Sequence, residues 1–407
     1  MLRPPAGRES ARGGRTLLIL GSLAAFGPLS MDTYLSALPS IGDDLDASAA
    51  SVQLTVTACL LGLASGQVVA GPLSDRLGRR RPLLVGLAGF TVVSLLCALA
   101  PTVWALAALR LAQGLCGAAG IVIARAVVRD LHEGVAAARA FALILVVTGL
   151  APILAPVAGA GVLHVTSWRG IFVALAFVGA LIGLATAVGL SESLPRARRR
   201  SDGLGTTLLV FRGLFRDRSF VAHGLATGLV FGAMFAYIAG SPFVLQEIYG
   251  LSPLGFGLVF GLNALGIVTA SVLGSRVVAR AGPRALLVLG LVQACGGAAL
   301  LLLAILLDLG VVVVCVALFT VVSSVGLVAP NATALALAEH PETAGSASAL
   351  LGLMQFVVGA AAAPLVGVAG ADDARPMAIT IAVLAAGALA QFVLLTGRRT
   401  SARPVLR

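Results

Sequence analysis

The chain carries the stretch GPLSDRLGRRR at residues 71–81, between apolar runs at 49–72 and 82–101. Each run reaches the roughly 20 residues that a helix needs to cross the hydrocarbon core of a bilayer. The stretch that joins them is short, and its two glycines permit a tight turn beside one acid and four arginines. This pattern predicts two membrane-spanning helices joined by a charged loop.

The composition extends that prediction to the whole chain. Of its 407 residues, 59% are hydrophobic and 11% are charged, and the mean hydropathy is +1.04. A soluble domain has about 25% charged residues, so this chain lacks the polar surface of a soluble protein and must be solvated by lipid. Its basic residues are all arginines, and they do not cluster on a soluble face, so we expect no nucleic-acid partner.

We predict an all-α integral membrane protein with twelve transmembrane helices in two six-helix bundles. Short polar or turn-like segments separate the apolar runs, and the single long interruption lies at 191–218. The predicted spans are 16–39, 49–72, 82–101, 103–126, 138–163, 168–190, 219–246, 252–276, 283–306, 309–331, 343–369 and 375–397. The predicted parts of the chain are a cytoplasmic tail (1–15), a first bundle (16–190), a cytoplasmic linker (191–218), a second bundle (219–397) and a cytoplasmic tail (398–407).

The arginines also predict the orientation, because short cytoplasmic loops are enriched in basic residues. Most lie in alternate loops, in the linker and in the two tails. The other side holds only Arg169 and Arg375, together with several acids. We therefore expect both termini to lie in the cytoplasm.

The two sets of six spans suggest a parallel repeat. The stretch GSRVVARAGPR at 274–284 follows the eighth span as 71–81 follows the second, although it has no acid that matches Asp75. Proteins built from such repeats bind substrate near the membrane midplane and work by rocking one half against the other. The architecture therefore favours a transporter.

Residues 71–80 fit the spacing G-x3-D-R-x-G-R-R, which resembles the loop signature of the major facilitator superfamily. The resemblance covers essentially the whole chain. It implies a gating and structural role at the cytoplasmic face, where an acid and arginines can hold helices together. The residues concerned are Gly71, Asp75, Arg76, Gly78, Arg79 and Arg80.

Stretches in both halves narrow the resemblance to the bicyclomycin- and chloramphenicol-resistance group of drug:proton antiporters. The resemblance implies export of a drug in exchange for protons across a bacterial cytoplasmic (inner) membrane, by a monomer. The stretches are MDTYLSALP (31–39), IARAVVRDL (123–131), WRGIF (168–172), ESLP (192–195) and AGSASALLGLMQ (344–355).

The fifth span contains GLAPILAPVAG at 149–159, which is similar to the antiporter motif of proton-driven exporters. Proline removes a backbone donor and bends a helix, and small residues let a neighbouring helix approach closely. Ala155 stands where the general pattern has a glycine. The residues with an implied gating or structural role are Gly149, Pro152, Pro156 and Gly159.

The first span contains Asp32, the only acid inside any predicted span, and the fourth span contains Arg110. At 1.5 Å per residue they lie about 10 and 12 Å below the outer ends of their helices, so they are level. An ionisable residue inside the membrane is a functional candidate by default. We expect Asp32 and Arg110 to carry proton coupling, with Asp32 bound to substrate or paired with Arg110 in the inward-open state. A structural ion pair is the alternative.

The candidates for substrate contact combine aromatic or soft surface with a few polar groups, as ligand pockets usually do. Each is also a candidate for core packing. The predicted substrate residues are Met31, Asp32, Tyr34, Phe231, Phe235, Tyr237, Asn263 and Gln355.

We expect a proton-coupled multidrug exporter that moves small amphipathic compounds, such as phenicol- or bicyclomycin-like antibiotics, by alternating access. Its partners would be the drug, protons and the lipid bilayer, with no cofactor and no metal, because the cysteines and histidines are scattered. A transporter of a nutrient or metabolite is the alternative. An enzyme is not expected, because catalysis needs a nucleophile or an acid and base on one face.

Overall fold

The computed structural model describes residues 6–131, 134–199, 204–340, 343–367, 370 and 372–396. Nearly all of these residues are helical. Within them, eleven helices are long and apolar enough to cross a membrane, and the number is twelve when the bent pair Arg15–Ala24 and Phe26–Asp44 is counted as one span. The predicted all-α membrane fold with twelve spans is confirmed.

Most helices in the first half begin and end within a few residues of the predicted spans. The predicted tail is an exception, because the first helix already begins at Ala6. Residues 6–12 include alanine, glutamate and arginine, which favour a helix and let it extend outward from the apolar run. The helices are α1 (Ala6–Ala24), α2 (Phe26–Asp32), α3 (Leu38–Asp44), α4 (Ala49–Leu77), α5 (Arg80–Ala98), α6 (Val103–Leu131), α7 (Gly134–Val165) and α8 (Trp168–Gly189).

The second half contains one helix that the spans did not predict, α9, inside the predicted linker. A π-helical turn at Val244–Ile248 extends the seventh span, so Glu247 lies in its last turn. A 3₁₀ segment at Ala363–Gly367 continues the eleventh. The helices are α9 (Leu204–Leu214), α10 (Arg218–Phe243), α11 (Pro253–Ala281), α12 (Pro283–Leu306), α13 (Val311–Ala338), α14 (Ala344–Ala362) and α15 (Arg375–Thr396).

The chain divides into two compact units. The first comprises Met1–Ala47 and Ala58–Gly203, and the second comprises Ser48–Thr57 and Leu204–Arg407. Ser48 and the first nine residues of α4 thus group with the second unit. In that unit α10 packs against α13, α14 and α15.

The first predicted span, 16–39, is not one straight helix. Its two parts are bent by 42° at Ala25, between α1 and α2. Pro28 follows the bend, and it has no N–H to donate to the carbonyl of Ala24 four residues earlier. The expectation of a single helix is wrong because this proline removes a bond that would continue it.

A second break follows directly after Asp32. A turn and a short 3₁₀ segment, Leu35–Ala37, connect α2 to α3. Pro39, near the start of α3, again lacks the N–H that would bond four residues back. Asp32 thus ends a seven-residue helix that has a break on each side.

Two glycines bring α4 and α6 into close contact. A Cβ atom on Gly114 of α6 would overlap the carbonyl oxygen of Cys59, and one on Gly62 of α4 would overlap that of Leu111. Small residues permit such backbone contact between membrane helices. The contact fixes the part of α6 that carries Arg110.

Candidate functional site

Asp32 is buried, with 5% of its surface exposed. Among the residues that the structure describes, none forms a hydrogen bond or an ion pair with its carboxyl group. A buried carboxylate without a partner costs free energy, which is recovered when it takes up a proton or a hydrogen-bonding or cationic ligand. The Asp32 carboxyl group can therefore exchange a bound proton for such a ligand.

Arg110 is fully buried two turns into α6, and it is held by two neighbours. Its Nη1 donates to the carbonyl oxygen of Ser30 at 3.1 Å and also to the side-chain oxygen of Gln113. Gln113 in turn donates to Ser94 Oγ of α5 at 2.6 Å. The guanidinium lies 4.1 Å from the ring centroid of Tyr34, a cation–π distance. These contacts tie Arg110 to the broken first span on both sides of Asp32.

Asp32 was predicted either to bind substrate or to pair with Arg110, and in this structure the two side chains form no ion pair within 4 Å. Arg110 instead donates through Nη1 to Ser30 and Gln113 and lies against the rings of Tyr34 and Phe172, while its Nε and Nη2 have no hydrogen-bond partner among the described residues. Both groups are nevertheless buried, and the carbonyl oxygen that Arg110 binds, that of Ser30, lies two residues before Asp32. The two groups therefore share one buried region without neutralising each other.

Gly159 of the predicted antiporter motif lies against the same break. A Cβ atom at this position would overlap the carbonyl oxygen of Thr33, the residue after Asp32. The helix that carries it, α7, packs against α1, α2 and the 3₁₀ segment, and it runs unbroken through Pro152 and Pro156. We call Asp32, Thr33, Arg110 and Gly159 the Asp32 site.

The stretch WRGIF connects this site to the end of α3. Trp168 Nε1 donates to Asp44 Oδ2 at 3.1 Å, and Arg169 donates to the same oxygen at 2.5 Å. Phe172, one turn further along α8, lies 5.8 Å from the ring of Tyr34 and 5.6 Å from the Arg110 guanidinium. No partner was predicted for these residues, and in the structure they contact Tyr34 and Asp44, at the two ends of the segment after Asp32.

A separate group of contacts lies where α4 and α6 end. Arg79, between α4 and α5, donates through Nη1 to Ser74 Oγ at 2.8 Å and to the carboxylate of Asp75. Its Nε donates to Asp130 Oδ2 at 2.8 Å. Asp130 also accepts a hydrogen bond from Ser193 Oγ at 2.9 Å. We call Asp75, Arg79, Asp130 and Ser193 the charge cluster.

Glu192 caps the start of α5 beside the charge cluster. Its carboxylate accepts hydrogen bonds from the backbone N–H groups of Arg79 at 2.8 Å, Leu194 at 3.0 Å and Arg80 at 3.3 Å. Gly78 has a φ of 93°, and a Cβ atom there would overlap the Glu192 carboxylate. The second glycine of the loop is thus required both by its backbone conformation and by the approach of Glu192.

The family model described as Major Facilitator Superfamily matches residues 5–364 of the chain. The chain belongs to this superfamily. It is 38% identical to the uncharacterized MFS-type transporter YdgK of Bacillus subtilis (strain 168) over 395 residues, which cover 96% of this chain and 97% of that protein. The resemblance predicted from the sequence is confirmed, and the molecule is a membrane transporter and not an enzyme.

Two further similarities concern the whole length of this transporter. It is 31% identical to the bicyclomycin resistance protein homolog of Haemophilus influenzae over 392 residues, 95% of this chain and 97% of that protein. Its fold matches the crystal structure of a bacterial homolog of the human lysosomal transporter Spinster with a TM-score of 0.78. That match has 15% identity and covers 96% of this chain and 98% of the other, and it supports the fold alone.

The charged residues of the predicted gating loop, together with Gly78, differ in their contacts. Asp75, Gly78, Arg79 and Arg80 take part in the charge cluster or in the contacts of Glu192. Arg76 is exposed and makes no ion pair with a described residue. No individual role was predicted for Glu192, Ser193 and Asp130, although they lie in the ESLP and IARAVVRDL stretches that carry the family resemblance.

The predicted substrate residues lie in both units. In the first unit, Met31 and Tyr34 are buried next to Asp32. In the second, Asn263 of α11 donates to the Tyr237 hydroxyl of α10 at 2.9 Å, and the Tyr237 ring stacks on Phe260 at 5.5 Å.

The other three residues belong to a different part of the second unit. Phe235 lies 6.3 Å from Phe231 and 6.0 Å from Phe356, and Gln355 is half-buried on α14. The structure describes no contact that assigns any of the eight to substrate, so that part stays a prediction. No group of three or more His, Cys, Asp or Glu side chains among the described residues is arranged to hold a metal ion.

Replacing Glu192 with glutamine is expected to lower the stability of the transporter at neutral pH. Partial burial opposes the charge of Glu192, but three backbone N–H donors and the charge of Arg199 outweigh it and lower the pKa of the carboxyl below its ordinary value of 4.5. A lowered pKa contributes stability that is present above pH 4.5 and lost as the pH falls through the pKa of the folded protein.

The measurement is the melting temperature of the purified protein in detergent at pH 7 and at decreasing pH. The variant should be less stable by about 1 kcal/mol at pH 7, and the difference should shrink in acid. Asp372→Asn removes an exposed acid with no described partner and serves as the control. An equal effect of both variants, or a difference that grows in acid, would contradict the role of Glu192.

Proposed function

We propose that this transporter exports small amphipathic antibiotics, of the bicyclomycin or phenicol type, in exchange for protons. The observation that carries the proposal is the buried carboxyl group of Asp32, which has no partner among the described residues and ends a short helix between two breaks. The full-length similarity to a bicyclomycin resistance protein homolog supports the substrate class.

In the proposed cycle, substrate and proton compete for Asp32. When the site is open to the cytoplasm, the carboxylate holds the substrate through a hydrogen-bonding or positively charged group. When the site is open to the other side, a proton takes that place and the substrate leaves. Coupling follows because one carboxyl group cannot hold both ligands at once.

Arg110 has a different part in this proposal. Its contacts with Ser30 and Gln113 hold its positive charge in place, and its guanidinium group does not contact Asp32 in this structure. The net charge of the region therefore changes whenever Asp32 gains or loses a proton. We propose that this change in charge acts on the first span at its two breaks. It thereby favours either the conformation open to the cytoplasm or the one open to the other side.

The energetics permit a single carboxyl group to serve as the coupling site. A proton that enters down the membrane potential releases about 2.3 kcal/mol per 100 mV, and a pH difference of one unit adds about 1.4 kcal/mol. Since about 1.4 kcal/mol corresponds to a tenfold concentration ratio, one proton can sustain a gradient of several hundredfold for a neutral drug. A second acid is not required.

We also propose that the transporter acts as a monomer in the bacterial cytoplasmic membrane with both termini in the cytoplasm. The distribution of arginines supports this orientation, because the loops on one side hold most of the basic residues and those on the other hold Arg169 and Arg375.

Transport by everted membrane vesicles tests the proposed function. Such vesicles, energised to an acidic interior, should accumulate radiolabelled chloramphenicol or bicyclomycin, and an uncoupler should abolish the accumulation. Vesicles without the transporter are the control. Accumulation that is unchanged by the uncoupler, or the absence of uptake of both drugs by a well-folded transporter, would contradict the proposal.

A further inference from the structure

A basic cleft lies in the first unit, beside the charge cluster. It has a volume of about 380 Å³ and is formed by the start of α5 and the segment that follows α8. Its lining residues are Arg80, Arg81, Glu192, Leu194, Pro195, Arg196 and Arg199.

The charges of the cleft do not balance. It is lined by four arginines and one acid, Glu192. The carboxylate of Glu192 already accepts hydrogen bonds from three backbone N–H groups, and its one ion pair, with Arg199 Nη2, is long at 4.0 Å. The cleft therefore has about three positive charges that no described acid neutralises.

Two guanidinium groups in the cleft also have unsatisfied donors. The Nε atoms of Arg80 and Arg199 are buried and have no hydrogen-bond partner among the described residues. Arg80 is held in place because its Nη2 donates to the carbonyl oxygen of Ala187 in α8 at 2.7 Å. A buried donor without an acceptor costs free energy, so the protein does not fully satisfy these two guanidinium groups, and a ligand that supplies acceptor oxygens to them would be favoured.

A phosphate group has the properties that this cleft requires. It carries negative charge and several acceptor oxygens, and guanidinium groups bind it with paired, charge-assisted hydrogen bonds. The cleft also lies where membrane spans end, since the apolar part of α5 begins at Pro82 and α8 ends at Gly189. Lipid phosphates lie at this level of a bilayer.

We propose that this cleft binds a phosphate-bearing anion, the headgroup of an anionic phospholipid. Arg80 and Arg199 contact the phosphate through their guanidinium groups, and Arg81 and Arg196 add charge at the entrance. The site goes beyond the proposed transport function and does not depend on which substrate the transporter carries. Because Glu192 and Arg80 connect the cleft to the start of α5, a bound lipid stabilises the charge cluster.

The test measures lipid binding to the full-length transporter in detergent by native mass spectrometry, and its stabilisation by thermal unfolding. Phosphatidylglycerol should bind and raise the melting temperature, and phosphatidylcholine should do neither at equal concentration. The variant Arg196→Gln/Arg199→Gln should weaken phosphatidylglycerol binding by about 30-fold. The matched control is Arg276→Gln/Arg280→Gln, which removes two exposed arginines from the last turns of α11 and should bind like the wild type.

A further arm with sodium phosphate distinguishes the two sources of this ligand chemistry. Stabilisation by phosphatidylglycerol alone supports a lipid site, and equal stabilisation by phosphate, lost in the Arg196→Gln/Arg199→Gln variant, supports the shared chemistry with a soluble anion. The proposal is overturned if both double variants weaken lipid binding equally, because the attraction would then be non-specific, or if the cleft variant binds phosphatidylglycerol like the wild type.

Discussion

Replacing Asp32 with asparagine is expected to abolish proton-driven export while leaving the fold intact. The two side chains have nearly the same size, and Asp32 makes no described ion pair that the change would break. Asparagine cannot gain or lose a proton, so the site can no longer exchange a proton for substrate. Drug accumulation in energised everted vesicles should fall to the level of vesicles without the transporter.

The matched control for this experiment is Asp43→Asn, which changes an exposed acid near the end of α3. That variant should accumulate drug at the rate of the wild type. The purified Asp32→Asn protein should unfold at or above the wild-type temperature, because the change removes a buried charge without a partner. Uncoupler-sensitive accumulation by Asp32→Asn would contradict the role assigned to this residue.

The second large effect is expected at Gly159. Gly159→Ala adds a Cβ atom that overlaps the carbonyl oxygen of Thr33, and both overlapping groups are held by the backbone. The segment after Asp32 must shift or α7 must move away, at a cost of about 1–3 kcal/mol. We expect transport to fall by more than tenfold and the melting temperature to fall, because the Asp32 site and the α7 contact are parts of one packed unit.

Gly161→Ala is the control for this change. It lies on the same helix two residues further along, and a Cβ atom there meets nothing within 4 Å. Its transport and melting temperature should match the wild type. Full transport by Gly159→Ala would show that the close contact with Thr33 has no bearing on function, and an equal defect in both variants would point to general weakening of α7.

The spans could be predicted because a bilayer imposes a length and a composition on every helix that crosses it. The breaks in the first span were not predicted, although Pro28 and Pro39 could have indicated them. An internal proline need not break a membrane helix, and α7 continues through Pro152 and Pro156. Whether a proline breaks a helix depends on the neighbours that can satisfy the freed carbonyl group, and those are tertiary contacts.

The candidate site was predicted in part. Asp32 and Arg110 were recognised because ionisable groups are rare inside a membrane. The absence of an ion pair between them was not predicted, because Arg110 binds a backbone carbonyl oxygen and aromatic faces, and a sequence does not mark such partners. Glu192 contacts the start of α5 through Arg79, a residue 113 positions earlier in the chain. Such a contact depends on where two loops meet in the fold, so the sequence did not predict it.

The central claim is that one carboxyl group holds either substrate or a proton. It is tested most directly by proton release from the purified transporter in weakly buffered detergent solution when bicyclomycin or chloramphenicol is added. We predict the release of up to about one proton per bound drug molecule by the wild type, and of none by Asp32→Asn. Drug binding without proton release by the wild type at any pH, or equal release by both proteins, would contradict the claim.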